Sequence, residues 1–230
     1  MSWTADWVDL GSPRPRDKPR RYTPISWPLG PRIPLPVPTV GTSPTKSCAE
    51  LLLQRRTRRE FLPLNSELLS KLTWLTCQVQ RSGGDELGFP LSYRPCLSAG
   101  AIHPIHLLVV DPQADRWFRY DAVSHALNEV ITGLDPRPVW ADMQRVLPAP
   151  SATLLILAAE PGRTSAKYEA AASLVWRDAG VLLGFLAVAA EALGLNYCPL
   201  GVTGDSWVKR LLDQPGLAGV GAAFVGAAAN

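Results

Sequence analysis

Apolar positions along this chain follow two periods, one helical and one extended. Leu51 and Leu52 with Arg55 predict a helix over 47–58, with Ser47 as its N-cap. Leu68, Leu69, Leu72, Leu75 and Val79 predict a second helix over 66–81, and RSGGDELGFP after it reads as a loop. HLLVVD (106–111) and RWFRYD (116–121) read as the strands of a hairpin closed by PQAD. TLLILAAE (153–160) reads as a buried strand, being apolar without a break. A long apolar helix is expected over 166–194, shorter helices over 122–132, 138–146 and 206–212, and a last strand at GVGAAFVG (219–226). Antiparallel strands among separate helices, without βαβ alternation, imply an α+β fold.

Residues 1–46 break both periods, holding 10 of the 22 prolines. Proline lacks an N–H and restricts its predecessor, so this stretch forms neither helix nor central strand. The chain therefore divides into an extended proline-rich arm, 1–46, and a domain over 47–230. The arm is either a flexible tail or wraps a partner subunit, with Trp27, Ile33 and Leu35 as anchors.

Charge changes this picture little. The formal net charge is +3, with residues 1–62 carrying 11 basic against 5 acidic residues. These basic residues lie among prolines without an aromatic stacking pattern, so nucleic acid is not the expected partner. Cys48, Cys77, Cys96 and Cys198 are scattered, and His103 and His106 would face opposite ways on a strand, so no metal site is expected. Scattered thiols fit a reducing cytoplasm. The N-terminus shows neither a basic n-region nor an apolar h-region. The charge-free stretch Ala179 to Ala190 is 12 residues long, short of the roughly 20 a membrane span needs, and is expected to be a buried helix of a soluble protein.

Three stretches could carry chemistry. In RRTRREF (55–61), several guanidiniums and a hydroxyl could grip an oxyanion, or could simply complement a helix C-terminus. In RPCLSAGAIHP, the small residues of Ser98 to Ala101 would let backbone N–H groups approach a flat ligand. Third, Lys167 and Tyr168 stand side by side at the mouth of the apolar helix. There they either snorkel to solvent or act in a pocket, where partial burial would make the amine a usable base. No GxGxxG lies between a strand and a helix, which disfavours a dinucleotide-binding Rossmann site.

The order of these motifs, followed by DAG (178–180), ALGLNYCPLG and AAFVG, resembles the FMN-dependent nitroreductase fold, in particular its SagB-type dehydrogenase branch. That branch includes azoline dehydrogenases of ribosomal peptide maturation. The resemblance spans about 47–226. It implies a mostly antiparallel central sheet flanked by helices, a long apolar central helix and a homodimer. It also implies that Arg55, Arg56, Thr57 and Arg59 hold the FMN phosphate and ribityl chain. By the same resemblance Ser98, Ala99 and Gly100 face the flavin ring, and Pro199 and Gly201 present backbone to its reactive edge. Lys167 and Tyr168 match a pair that these dehydrogenases carry beside the flavin. Making an azole removes a proton from one ring carbon and a hydride from its neighbour, so the pair would take the proton. Two features differ from relatives: Ala170 to Ser173 replace a turn bearing arginine and tyrosine, and Val181 replaces a histidine.

Three functions follow. The first is dehydrogenation of thiazoline or oxazoline in a peptide, with or without a cyclodehydratase complex. The second is an NAD(P)H-fed nitro- or quinone reductase acting on small molecules, and the third a flavin-less scaffold subunit.

Overall fold

The computed structural model describes residues 8–39, 46–110, 115–212 and 214–228. Strands β1 (Arg14–Pro15) and β2 (Leu29–Pro34) come first, then helices α1 (Cys48–Gln54) and α2 (Ser66–Cys77). The short pair β3 (Arg81–Ser82) and β4 (Ser92–Tyr93) leads to β5 (Ile105–Val110), β6 (Trp117–Asp121), β7 (Ala126–Val130), α3 (Pro136–Val146) and β8 (Thr153–Ala159). Next come α4 (Pro161–Lys167), β9 (Tyr168–Glu169), α5 (Ala172–Ala192), β10 (Leu195–Pro199), α6 (Asp205–Leu211) and β11 (Ala218–Ala227).

Among the described residues, seven strands form one sheet in the order β10-β11-β8-β5-β6-β7-β2, every neighbour antiparallel. The expected α+β class, with a central antiparallel sheet flanked by helices and one long apolar helix, is what the chain adopts. β8 shows why TLLILAA is apolar throughout. Leu155 and Leu157 enter a core with α2 and α5, while Leu154 and Ile156 enter a second core with α3 and α6 on the opposite face. Residues alternate across a strand, so a strand sandwiched between helix layers is apolar on both faces.

Three expected elements differ. The helix expected over 122–132 is a turn followed by β7. The Asp121 carboxylate accepts the N–H groups of Val123 and Ser124, closing a tight turn, and β7 then pairs with β6 and β2 on its two edges. α1 ends at Gln54, so Arg55 to Phe61 leaves the helix and runs beside the sheet, with the Arg58 N–H on the Tyr197 carbonyl. The long helix is split. α4 stops at Lys167, Tyr168–Glu169 pairs with β1, and Ala170 takes a left-handed φ of 46° before α5 begins. Of the expected PQAD turn, all but Asp115 lies outside the described residues.

From residue 8 to 39 the arm lies on its own chain. β2 forms the edge of the sheet, Leu35 is buried, and the Trp27 ring rests 4.9 Å from that of His106, while Ile33 stays exposed. Prolines suit an edge strand, where a missing N–H costs no ladder bond. α5 is long and apolar enough to cross a membrane by length and composition. Here Val175, Ala179, Leu182 and Leu186 bury one face against the sheet. Its other face, with Trp176, Gly180 and Gly184, is exposed in the single chain.

Candidate active site

The small-residue stretch forms a tight left-handed turn. Ser98 is extended, Gly100 has φ 65°, and Ala101 and His103 have φ 57° and 47°. Non-glycine residues in that region cost about 1 kcal/mol each, so the turn needs outside support. Asp178 of α5 supplies it: its carboxylate accepts the Ser98 hydroxyl at 2.6 Å and the Ala99 N–H at 3.1 Å. The Ser98 oxygen in turn accepts the His103 N–H at 2.9 Å. Burial pushes the Asp178 carboxyl above the usual carboxylate range, while its two bonds partly hold it down. Asp178 escaped the sequence reading, although one acid on the buried face of an apolar helix signals a buried partner.

Lys167 and Tyr168 reach this turn. A Cβ at Gly100 would stand 2.9 Å from the Tyr168 hydroxyl oxygen and 3.0 Å from Lys167 Nζ. Both side chains are half-buried, and Lys167 Nζ lies 5.8 Å from the Tyr168 ring centre. The arm holds the segment from outside. Its Arg16 N–H donates to the Lys167 carbonyl at 2.8 Å, its Arg16 Nε to the Ser165 carbonyl at 2.8 Å, and its Arg20 N–H to the Ala166 carbonyl at 2.8 Å. These carbonyls serve the arm, which is why the helix does not run on through Tyr168.

The arginine motif lies elsewhere. Arg58 donates to buried Glu191 near the far end of α5 at 2.6 Å, and Arg56 closes α1 by donating to the carbonyls of Leu53 and Arg55. Arg55, Thr57 and Arg59 have no side-chain hydrogen bond among the described residues. Pro199 and Gly201, at the end of β10, are exposed, and a Cβ at Gly201 would meet nothing within 4 Å. Asp178 and Glu191 are thirteen positions apart on α5, so the two groups are anchored about 20 Å from each other. One chain thus brings Ser98, Ala99, Gly100, Lys167 and Tyr168 together, and places Arg55 to Arg59 with the β10 end in a second group.

The profile described as Nitroreductase family matches residues 52–226. The chain belongs to the nitroreductase family. Members of that family generally bind FMN and act as oxidoreductases. No curated protein matches this nitroreductase-family chain in sequence. Among solved structures, it is similar to a protein from Ralstonia eutropha JMP134 described as a nitroreductase, at 22% identity and a TM-score of 0.67, covering 95% of this chain and 99% of that one. A protein from Anabaena variabilis, also described as a nitroreductase, gives 22% identity and 0.57 over 70% of this chain, which spans 34% of that one. A chain of the E. coli microcin synthetase McbBCD complex, with truncated pro-MccB17 bound, gives 15% identity and 0.57, covering 84% and 77%. At these identities the likeness is one of fold.

Proposed function

We propose that this nitroreductase-family chain is an FMN-dependent dehydrogenase that converts thiazoline or oxazoline rings of a ribosomally made peptide to thiazole or oxazole. The observation that carries this reading is the convergence of Lys167 Nζ and the Tyr168 hydroxyl on Gly100, at 3.0 and 2.9 Å from the position of its missing Cβ. A ring laid against that turn would have an amine and a phenol at its edge, placed to take a ring-carbon proton.

The residues present fit FMN. Arg55, Thr57 and Arg59, whose side chains bond to no described residue, suit its phosphate and ribityl hydroxyls. Ser98, Ala99 and Gly100 offer a side-chain-poor surface for a flat ring, and Pro199 with Gly201 offers open backbone. Arg56, whose guanidinium closes α1, would support the motif from behind. When bound, FMN supplies the hydride acceptor that this oxidation requires.

The separation of about 20 Å between the two groups favours a homodimer in which each flavin lies between subunits. Two open apolar faces support it: α1 has no buried residue, with Leu52 and Leu53 exposed, and α5 leaves Trp176, Gly180 and Gly184 uncovered. The structural likeness to a chain of the microcin synthetase McbBCD complex with truncated pro-MccB17 bound supports work within a synthetase complex, for which a cyclodehydratase is the proposed partner.

The first test is the visible spectrum of the protein purified without added cofactor, with the released chromophore identified. Yellow protein releasing FMN, and loss of azole formation in Tyr168→Phe and Lys167→Ala with FMN retained, are the expected results. Azole formation surviving in both variants would overturn the assignment. Quinone-dependent NAD(P)H consumption unaffected by either substitution would favour the reductase reading, and a colourless protein refusing FMN would favour a scaffold. Light scattering should give twice the mass of one chain, and Gly184→Arg should lower it to one.

A further inference from the structure

Between β4, β5, β6 and α4 lies a cavity of about 300 Å³ lined by none of Ser98, Ala99, Gly100, Lys167 and Tyr168. Three arginines line it, Arg94, Arg119 and Arg163, together with His103, His106 and one acid, Asp121. Arginines drawn out of solvent are ordinarily paired closely with carboxylates. These three are half-buried, and the acids at hand pair with them only loosely. Glu160, fully buried, has its oxygens engaged by the Ile25 N–H at 2.7 Å and His106 Nε2 at 2.8 Å, and reaches Arg163 Nη1 only at 3.9 Å. Asp121 spends its oxygens on Val123 and Ser124. Arg94 has one side-chain bond, from Nε to the Ser92 hydroxyl at 3.0 Å. The Nε atoms of Arg119 and Arg163 are buried without any partner, their guanidiniums lying over the rings of Trp27 at 4.9 Å and Phe89 at 4.4 Å.

The guanidiniums of Arg119 and Arg163 are thus positioned by ring packing and that of Arg94 by Ser92, and much of their hydrogen-bonding capacity is unused among the described residues. Guanidinium donors withdrawn from water without an acceptor are costly, and a bound oxyanion would satisfy them, because the arginine fork matches carboxylate and phosphate oxygens in bidentate geometry. Burial and the neighbouring arginines push His103 down to about 3 and His106 down to about 4, so both rings stay neutral at pH 7 and add no further positive charge. The volume is at the lower end of the range of small-molecule pockets.

We infer that this cavity is a binding site for a small multivalent oxyanion, a phosphate- or polycarboxylate-bearing molecule, held by Arg94, Arg119 and Arg163. It is separate from the Arg55 to Arg59 segment, which is anchored at the other end of α5.

Calorimetric titration of the whole chain with inorganic phosphate, and separately with citrate, tests the site against sodium chloride at matched ionic strength. We expect saturable one-site binding with a dissociation constant below about 1 mM for at least one of the two. Arg119→Gln and Arg163→Gln should each weaken it at least tenfold, and Arg55→Gln/Arg59→Gln should leave it in place. Binding of phosphate alone points to a phosphorylated ligand, and of citrate alone to a polycarboxylate; both support the site. Absence of saturable binding by either anion in the unaltered chain would overturn the inference, whether or not the variants fold. So would binding lost in Arg55→Gln/Arg59→Gln and kept in Arg119→Gln.

Discussion

Asp178 holds the Ser98 hydroxyl at 2.6 Å and the neighbouring Ala99 N–H at 3.1 Å, so a single carboxylate on α5 fixes the turn on which Lys167 and Tyr168 converge. Asp178→Ala leaves two half-buried donors without an acceptor, at about 1–3 kcal/mol each. We predict a fall in melting temperature of about 5–10 °C together with loss of turnover. Asp178→Asn keeps one acceptor and should lose about half as much. An unchanged melt in Asp178→Ala would show that the turn supports itself.

Gly100 is needed twice over. Its φ of 65° disfavours a side chain, and a Cβ would crowd the Tyr168 hydroxyl at 2.9 Å. Gly100→Ala should cost about 1 kcal/mol of stability, and by displacing the pair it should lower turnover at least tenfold. Turnover falling no more than stability explains would remove Gly100 from the site.

The arm should matter to the site out of proportion to its stability. Arg16 reaches Ser165 and Glu169 by its side chain and Lys167 by its backbone. Glu169 is largely exposed, so its ion pair adds little to stability. Arg16→Ala is expected to shift the melt by about 2–4 °C at most while speeding amide exchange over 165–170 and lowering turnover. Exchange identical to that of the unaltered chain would mean that the β1–β9 pairing alone holds the segment.

Glu191 makes a testable pH dependence. Its hydrogen bond from Arg58, with Lys46 beside it, holds its carboxyl below the usual carboxylate range. A carboxylate with a lowered folded-state pKa contributes stability at pH values above its unfolded value, near 4.3, and loses it as pH falls through the folded value. Arg58→Ala should cost about 1 kcal/mol at pH 7, discounted for the half-exposed guanidinium, and the cost should vanish under acid. Melts of both proteins between pH 7 and pH 3 should therefore converge. A constant gap would assign the loss to packing.

Local order was legible in the sequence wherever it rests on local pattern. Periodicity located α2, β8 and β11, the missing proline N–H excluded the arm from helix and central strand, and small residues marked the Ser98 turn. The start of the long helix and the 122–132 helix were misread because their fate depends on partners remote in sequence. The carbonyls of Ala166 and Lys167 are taken by Arg20 and Arg16, and β7 is claimed on both edges by other strands.

The motifs themselves, RRTRREF, SAGA and the Lys167–Tyr168 pair, are properties of the sequence alone, and with them the family. Tertiary structure decided which of them meet. Folding sets Lys167 and Tyr168 over Gly100, 67 and 68 positions away, and spends Arg58 on Glu191 and Arg56 on a helix end. It also gathers Arg94, Arg119 and Arg163 around one cavity whose single lining acid, Asp121, is bonded to its own turn. The reason is physical: spacing along a helix or strand fixes neighbours a few residues apart, whereas contacts between distant segments depend on which apolar faces bury one another.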